Sequence, residues 1–106
     1  MKFGILIETN EPEKAWNGVR FANASLKAGH EVRLFLMSAG VEIESIAHEK
    51  FNVQEQLNLF HEAGGTVGCC GTCKRGRALE STEVCPIASM ADLIAMVEWA
   101  DRTMTF

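Results

Sequence analysis

Between residues 2 and 37 the hydrophobic period changes twice, and this limits the fold more than any other feature of the chain. Phe3, Ile5, Leu6 and Ile7 make a nearly continuous apolar run of strand length. After the polar residues 8–11, apolar positions return at helical spacing: Ala15, Val19, Ala22 and Leu26. Pro12 stands where a first helical turn accepts proline, and Gly29 is a natural stop after Ala28. Residues 31–37 then form a second strand, with β-favouring Val32, Leu34, Phe35 and Leu36. A strand, a helix and a strand in succession imply parallel neighbours in one sheet.

The alternation continues less sharply. Residues 38–40 form a loop, residues 41–48 a short helix, and residues 51–52 a break. A firmer helix follows, with Val53, Leu57 and Phe60 on one face and Gly64-Gly65 as its stop. A short third strand covers Thr66 and Val67 and extends toward Gly68-Cys69, and a fourth lies near residues 83–87. Ser89 caps a last helix, with Asp92 three residues on and Met90, Leu93, Ile94 and Val97 as its buried stripe. Residues 102–106 close the chain as a fifth strand. The expectation is an α/β fold with a mostly parallel sheet of about five strands and helices on both faces. It is read as one domain over residues 1–106.

Composition excludes several classes of function. With 47% apolar and 23% charged residues, the chain is ordinary globular material. A net charge of −4 gives no general attraction to nucleic acid or anionic membranes. No targeting segment is legible, and the run Ile5-Leu6-Ile7 is too short to span a bilayer. A cytoplasmic location is expected, where thiols rest reduced.

The four cysteines are unevenly placed: Cys69, Cys70 and Cys73 fall within five residues, and Cys85 follows. That clustering suits a chemical site better than a disulfide framework. The segment also lies where functional loops gather in parallel α/β folds, beyond the C-terminal strand ends, as do residues 8–11 and 38–40. Cys70-Gly71-Thr72-Cys73 is a C-x-x-C pair. Only the thiolate is a useful nucleophile, and a free thiol titrates at about 8.5. A helix starting near Thr72 would aim backbone N–H groups at Cys70, and Lys74, Arg75 and Arg77 add three cations; both favour ionisation. Gly71 leaves room for an incoming donor. Cys69 reads as a small packed hydrophobe, because neighbouring strand residues face opposite ways. Cys73 either resolves a disulfide, relays sulfur or packs. Cys85, at another strand end, either faces Cys70 across the site or packs. His30, His48 and His61 read as structural. No phosphate loop or metal-type His/Glu pair is present.

At this point the sequence resembles the DsrE/DsrF-like (DsrEFH-like) sulfur-relay family. The resemblance is carried by Lys2-Phe3-Gly4-Ile5-Leu6-Ile7, by Gly29-His30-Glu31-Val32-Arg33-Leu34-Phe35-Leu36, by Cys70-Gly71-Thr72-Cys73, and by Ser89-Met90-Ala91-Asp92-Leu93 with the closing Ala100-Asp101-Arg102-Thr103-Met104-Thr105-Phe106. It implies a three-layer α/β/α sandwich, often assembled as homotrimers, hexamers or hetero-oligomers. It also implies a persulfide held by a cysteine of the loop, a role carried over to Cys70 alone. Departures are visible: Lys74-Arg75-Gly76-Arg77 is shorter and more basic than in many members, and Cys69 and Cys85 are extra thiols.

Four functions follow for testing. The first is a sulfur carrier, a sulfurtransferase-like relay between donor and acceptor proteins that needs no cofactor, with Cys70 and Cys73 as reacting thiols and Gly71, Thr72, Lys74, Arg75 and Cys85 in support. The second is thiol–disulfide exchange by Cys70 and Cys73. The third is soft-metal binding by Cys70, Cys73 and Cys85. The fourth is a non-catalytic subunit of a complex, its cysteines incidental.

Overall fold

The structure, a computed structural model, describes residues 1–106. Five strands form one sheet in the order β4-β3-β2-β1-β5, every neighbouring pair parallel. They are β1 (Lys2–Ile7), β2 (Glu31–Leu36), β3 (Thr66–Cys70), β4 (Ile87–Ala88) and β5 (Arg102–Thr105). The helices are α1 (Pro12–Lys27), α2 (Val53–Glu62), α3 (Gly71–Arg75) and α4 (Met90–Trp99), with a 3₁₀ segment at Ser38–Ser45. The chain steps from β1 to β4 in one direction, with α1 and α2 on one face. α4 then carries it back across the sheet to β5, and a right-handed return puts that helix on the opposite face. The result is the three-layer α/β/α arrangement.

Register divides the sheet into two faces. Ile5 aligns with Leu34, Leu34 with Val67, and Leu36 with Cys69. These side chains meet α1 and α2 through Ala15, Val19, Val53, Leu57 and Phe60, all of them buried. The alternate residues Gly4, Phe35, Gly68 and Cys70 face α4. α4 comes close to β1 there: a Cβ on Gly4 would lie 3.2 Å from Ala100 Cβ and 3.3 Å from Met96 Cε.

Local chemistry sets the element boundaries. The Glu11 carboxylate caps α1 by accepting from the Glu13 and Lys14 N–H groups at 3.2 and 2.8 Å. Asn52 caps α2 through Glu55 N–H at 3.1 Å. Ser89 and Asp92 form a reciprocal capping box on α4.

Three expectations are corrected. Residues 41–48 are not an α-helix. The 3₁₀ turn begins at Ser38, and His48 lies beyond it, with Nδ1 accepting from the Lys50 and Phe51 N–H groups. The fourth strand is only Ile87–Ala88, because the preceding residues wrap around Lys74. On α4, Leu93 of the expected stripe packs against the core, but Met90, Ile94 and Val97 are 50, 58 and 48% exposed, while Met96 is buried. α4 is apolar on two faces with the same period, and periodicity alone does not say which one meets the sheet.

Candidate functional site

β3 runs into α3 with no intervening loop, so Cys70 is both the last strand residue and the N-cap of α3. Its alternation partner Cys69 points to the α1/α2 face, and Cys70 to the α4 face. Cys70 lines a cleft of about 570 Å³, together with Thr72, Cys73, Arg75, Ile87, Ser89 and Met90, among others. The residue is 6% exposed, so a reactant must enter this cleft to reach it.

Burial is the largest single influence on the Cys70 thiol and opposes ionisation. It is outweighed by the Cys73 backbone N–H, the Cys73 thiol, the Thr72 backbone N–H and the charge of Arg75, so the thiol titrates below its ordinary value. The expected backbone donors are therefore in place. The expected cations are not all in place. Only Arg75 acts on Cys70, with Nη2 also reaching Thr72 Oγ1 at 3.4 Å. Arg77 is engaged with Glu42 (Nε to Oε2, 2.7 Å) and with the Cys73 carbonyl. Lys74 turns away altogether: it is 2% exposed, and its Nζ donates to Glu80 O at 2.8 Å and Cys85 O at 3.0 Å. Successive residues on a one-turn helix cannot all face the same sulfur.

Gly71 does not leave open space either. A Cβ there would lie 2.8 Å from Ile87 Cγ2 and 3.0 Å from Arg75 Nη1, so glycine is needed for these two to close over the turn. Cys73 is half-buried at the meeting of α3 with the 3₁₀ segment, and its sulfur accepts the Ser38 N–H at 3.3 Å. Ser38 has φ of 53°, a left-handed conformation at the end of β2. Its loop thus meets the cysteine loop, a contact no sequence motif signals.

Cys85 is separated from Cys70. It lies fully buried with Cys69 on the other face, where each thiol acts on the ionisation of the other. Cys70, Cys73 and Cys85 therefore do not form a three-thiolate ligand set, and no group of three His, Cys, Asp or Glu side chains is placed to hold a metal ion. The intervening strand explains this, since β3 itself lies between Cys85 and Cys70.

A family model described as the DsrE/DsrF-like family matches residues 1–106. The chain belongs to the DsrE/DsrF-like family. It is 35% identical to the uncharacterized protein MJ0989 of Methanocaldococcus jannaschii over 100% of both chains. It is 32% identical to the uncharacterized protein MK0008 of Methanopyrus kandleri, over 89% of this chain and 83% of that one. Protein YchN of Escherichia coli is 28% identical over 89% of this chain and 87% of its own length. The YchN crystal structure superposes with a TM-score of 0.83, covering 100% of each chain at 25% identity. The DsrE/DsrF-like family is associated with sulfur relay. As for membranes, no helix is long and apolar enough to cross one.

Proposed function

We propose that this DsrE-like chain is a sulfur carrier that holds a persulfide on Cys70 and hands its outer sulfur to a partner thiol. One observation carries the reading: Cys70 lines an open cleft and its backbone donors and Arg75 ease its ionisation. The thiolate attacks the outer sulfur of a donor persulfide. An S–S bond forms to Cys70, the donor's S–S bond breaks, and the donor leaves as a thiolate. An acceptor thiolate then attacks the same outer sulfur and releases Cys70 as a thiolate. No net oxidation occurs. Backbone N–H groups of Thr72 and Cys73 and the Arg75 guanidinium would stabilise the anionic persulfide as they do the thiolate. Because the sulfur is recessed, donor and acceptor must present theirs on a narrow projection. Incubation with a cysteine desulfurase and cysteine, followed by intact mass measurement, is expected to add one sulfur atom in the unaltered chain and none in Cys70→Ser. Equal loading of both refutes the assignment to Cys70.

The contact between the Cys73 thiol and Cys70 favours one second reading, thiol–disulfide exchange within the C-x-x-C pair. A redox titration that yields a Cys70–Cys73 disulfide at a defined potential supports it. Homo-oligomerisation as a trimer or hexamer remains part of the proposal, supported by the uncovered stripe of Met90, Ile94 and Val97. Light scattering on the purified chain tests it.

A further inference from the structure

The other face of β3 carries thiols that the Cys70 chemistry does not use. Cys69 and Cys85 are each 0% exposed. The backbone fixes their approach: Cys69 N–H donates to Pro86 O at 2.9 Å, and Cys69 lies in register with Ile87. The two thiols are near enough to act on each other's ionisation.

Lys74 is buried beside them. An ammonium has three donors, and the carbonyls of Glu80 and Cys85 take two of them. Carbonyls carry no net charge, and Lys74 makes no ion pair with any carboxylate. Glu44, the acidic group facing this region, accepts instead from Thr82 Oγ1 at 2.9 and 2.8 Å. A buried cation calls for a counter-charge, and an ionised sulfur can supply it. The Cys85 thiol favours the Cys69 thiolate most, with Lys74 adding to it against burial and Glu44. The Cys69 sulfur, with burial, raises Cys85, which keeps its proton.

We infer that Cys69 and Cys85 form a second thiol centre, a buried dithiol that a hydroperoxide-class oxidant converts to a disulfide, fastening β4 to β3. The Cys69 thiolate attacks one peroxide oxygen; the O–O bond breaks, hydroxide leaves and Cys69 becomes a sulfenic acid. The Cys85 sulfur then attacks Cys69, an S–S bond forms, and the sulfenic oxygen leaves with the Cys85 proton as water. Two thiol sulfurs are oxidised and one peroxide is reduced. Full burial selects an oxidant as small as hydrogen peroxide over a bulky disulfide. Because Ile87 and Ala88 line the Cys70 cleft, the cross-link stiffens one of its walls. The inference does not depend on what Cys70 carries.

The test uses the full chain as Cys70→Ser/Cys73→Ser, reduced and then exposed to hydrogen peroxide while folded. Thiol counting after unfolding, with non-reducing peptide mapping, is expected to show loss of both thiols and a single Cys69–Cys85 linkage. Free thiols, or separate over-oxidation of each sulfur, overturn the inference. Adding Cys85→Ser is expected to leave a Cys69 sulfenic acid that dimedone traps; no adduct also counts against it. Lys74→Met is expected to slow oxidation at pH 7, because a cation that favours the Cys69 thiolate is gone, and an unchanged rate refutes the counter-cation. If Lys74→Met does not fold, the pH profile of oxidation in the double variant decides: a midpoint at the ordinary thiol value of about 8.5 refutes it.

Discussion

Gly40→Ala tests whether the loop after β2 positions Cys73. Gly40 sits in the 3₁₀ segment directly against the end of β1. An added Cβ would overlap the Ile7 carbonyl oxygen, and would lie 2.7 Å from Ile7 C and 3.2 Å from Glu8 N. All three are backbone atoms of the sheet edge, and Ile7 O already accepts the Met37 N–H at 3.1 Å. No rotamer change can relieve the contact, so the 3₁₀ segment must move outward. Overpacking of this kind costs about 1–3 kcal/mol. The alanine stiffens the unfolded chain, which offsets about 0.4–1 kcal/mol. With the clash at the upper end, the net loss is about 2 kcal/mol, or roughly 8–16 °C in Tm for a chain of this size. Ser38 must move with the segment, which breaks its N–H contact to the half-buried Cys73 sulfur and uncovers it, and this greater access is expected to make Cys73 alkylate faster. Urea unfolding with an unchanged slope, together with the rate of Cys73 modification, measures both effects. Gly64→Ala is the control. Its φ of 84° is strained for alanine but nothing lies within 4 Å, so it should cost about 1–2 kcal/mol and leave Cys73 unaffected. If Gly40→Ala proves as stable as the parent with unaltered Cys73 reactivity, the argument from close packing is wrong.

Three further outcomes are expected. Alkylation of Cys70 should rise with pH around a midpoint below the ordinary thiol value; since the folded value is the lower one, the associated stability is present above the unfolded value and lost as pH falls through the folded one. Ser89→Ala should cost about 1 kcal/mol by denaturant unfolding, the usual worth of an N-cap. The Asp92 partner in that cap is held below its ordinary value by the Ser89 N–H and hydroxyl, so its contribution is present above pH ~4 and disappears on acidification. Ile94→Ser should change monomer stability by no more than about 0.5 kcal/mol, as at other exposed positions; a larger loss that depends on protein concentration would show the α4 stripe is covered in solution.

The early part of the fold was legible because β1, α1 and β2 each had one hydrophobic face and a marked end: Pro12, Gly29 and the short loops between. Val53, Leu57 and Phe60 gave α2 for the same reason. The later segments were harder. α4 has two apolar stripes, so the sequence named the one that faces outward. The 3₁₀ turn at Ser38 depends on Gly40 fitting against Ile7, a contact between distant residues. Within the site, the backbone donors to Cys70 followed from the helix expected near Thr72, whereas the direct passage from β3 into α3 at Cys70 was not legible, the segment reading as a loop. Nor was the fate of the basic residues. A run of four positions spreads around α3, and Lys74 is drawn inward by the carbonyls of Glu80 and Cys85, which belong to a chain segment of no regular structure.

One peptide bond separates Cys69 from Cys70, yet β3 acts as a bulkhead between them. Each sulfur has its own neighbours and its own proton balance, so what happens to one need not spoil the other. Inserting or deleting a single residue in this strand would exchange the two compartments, and that gives the length of β3 a chemical meaning beyond its place in the sheet.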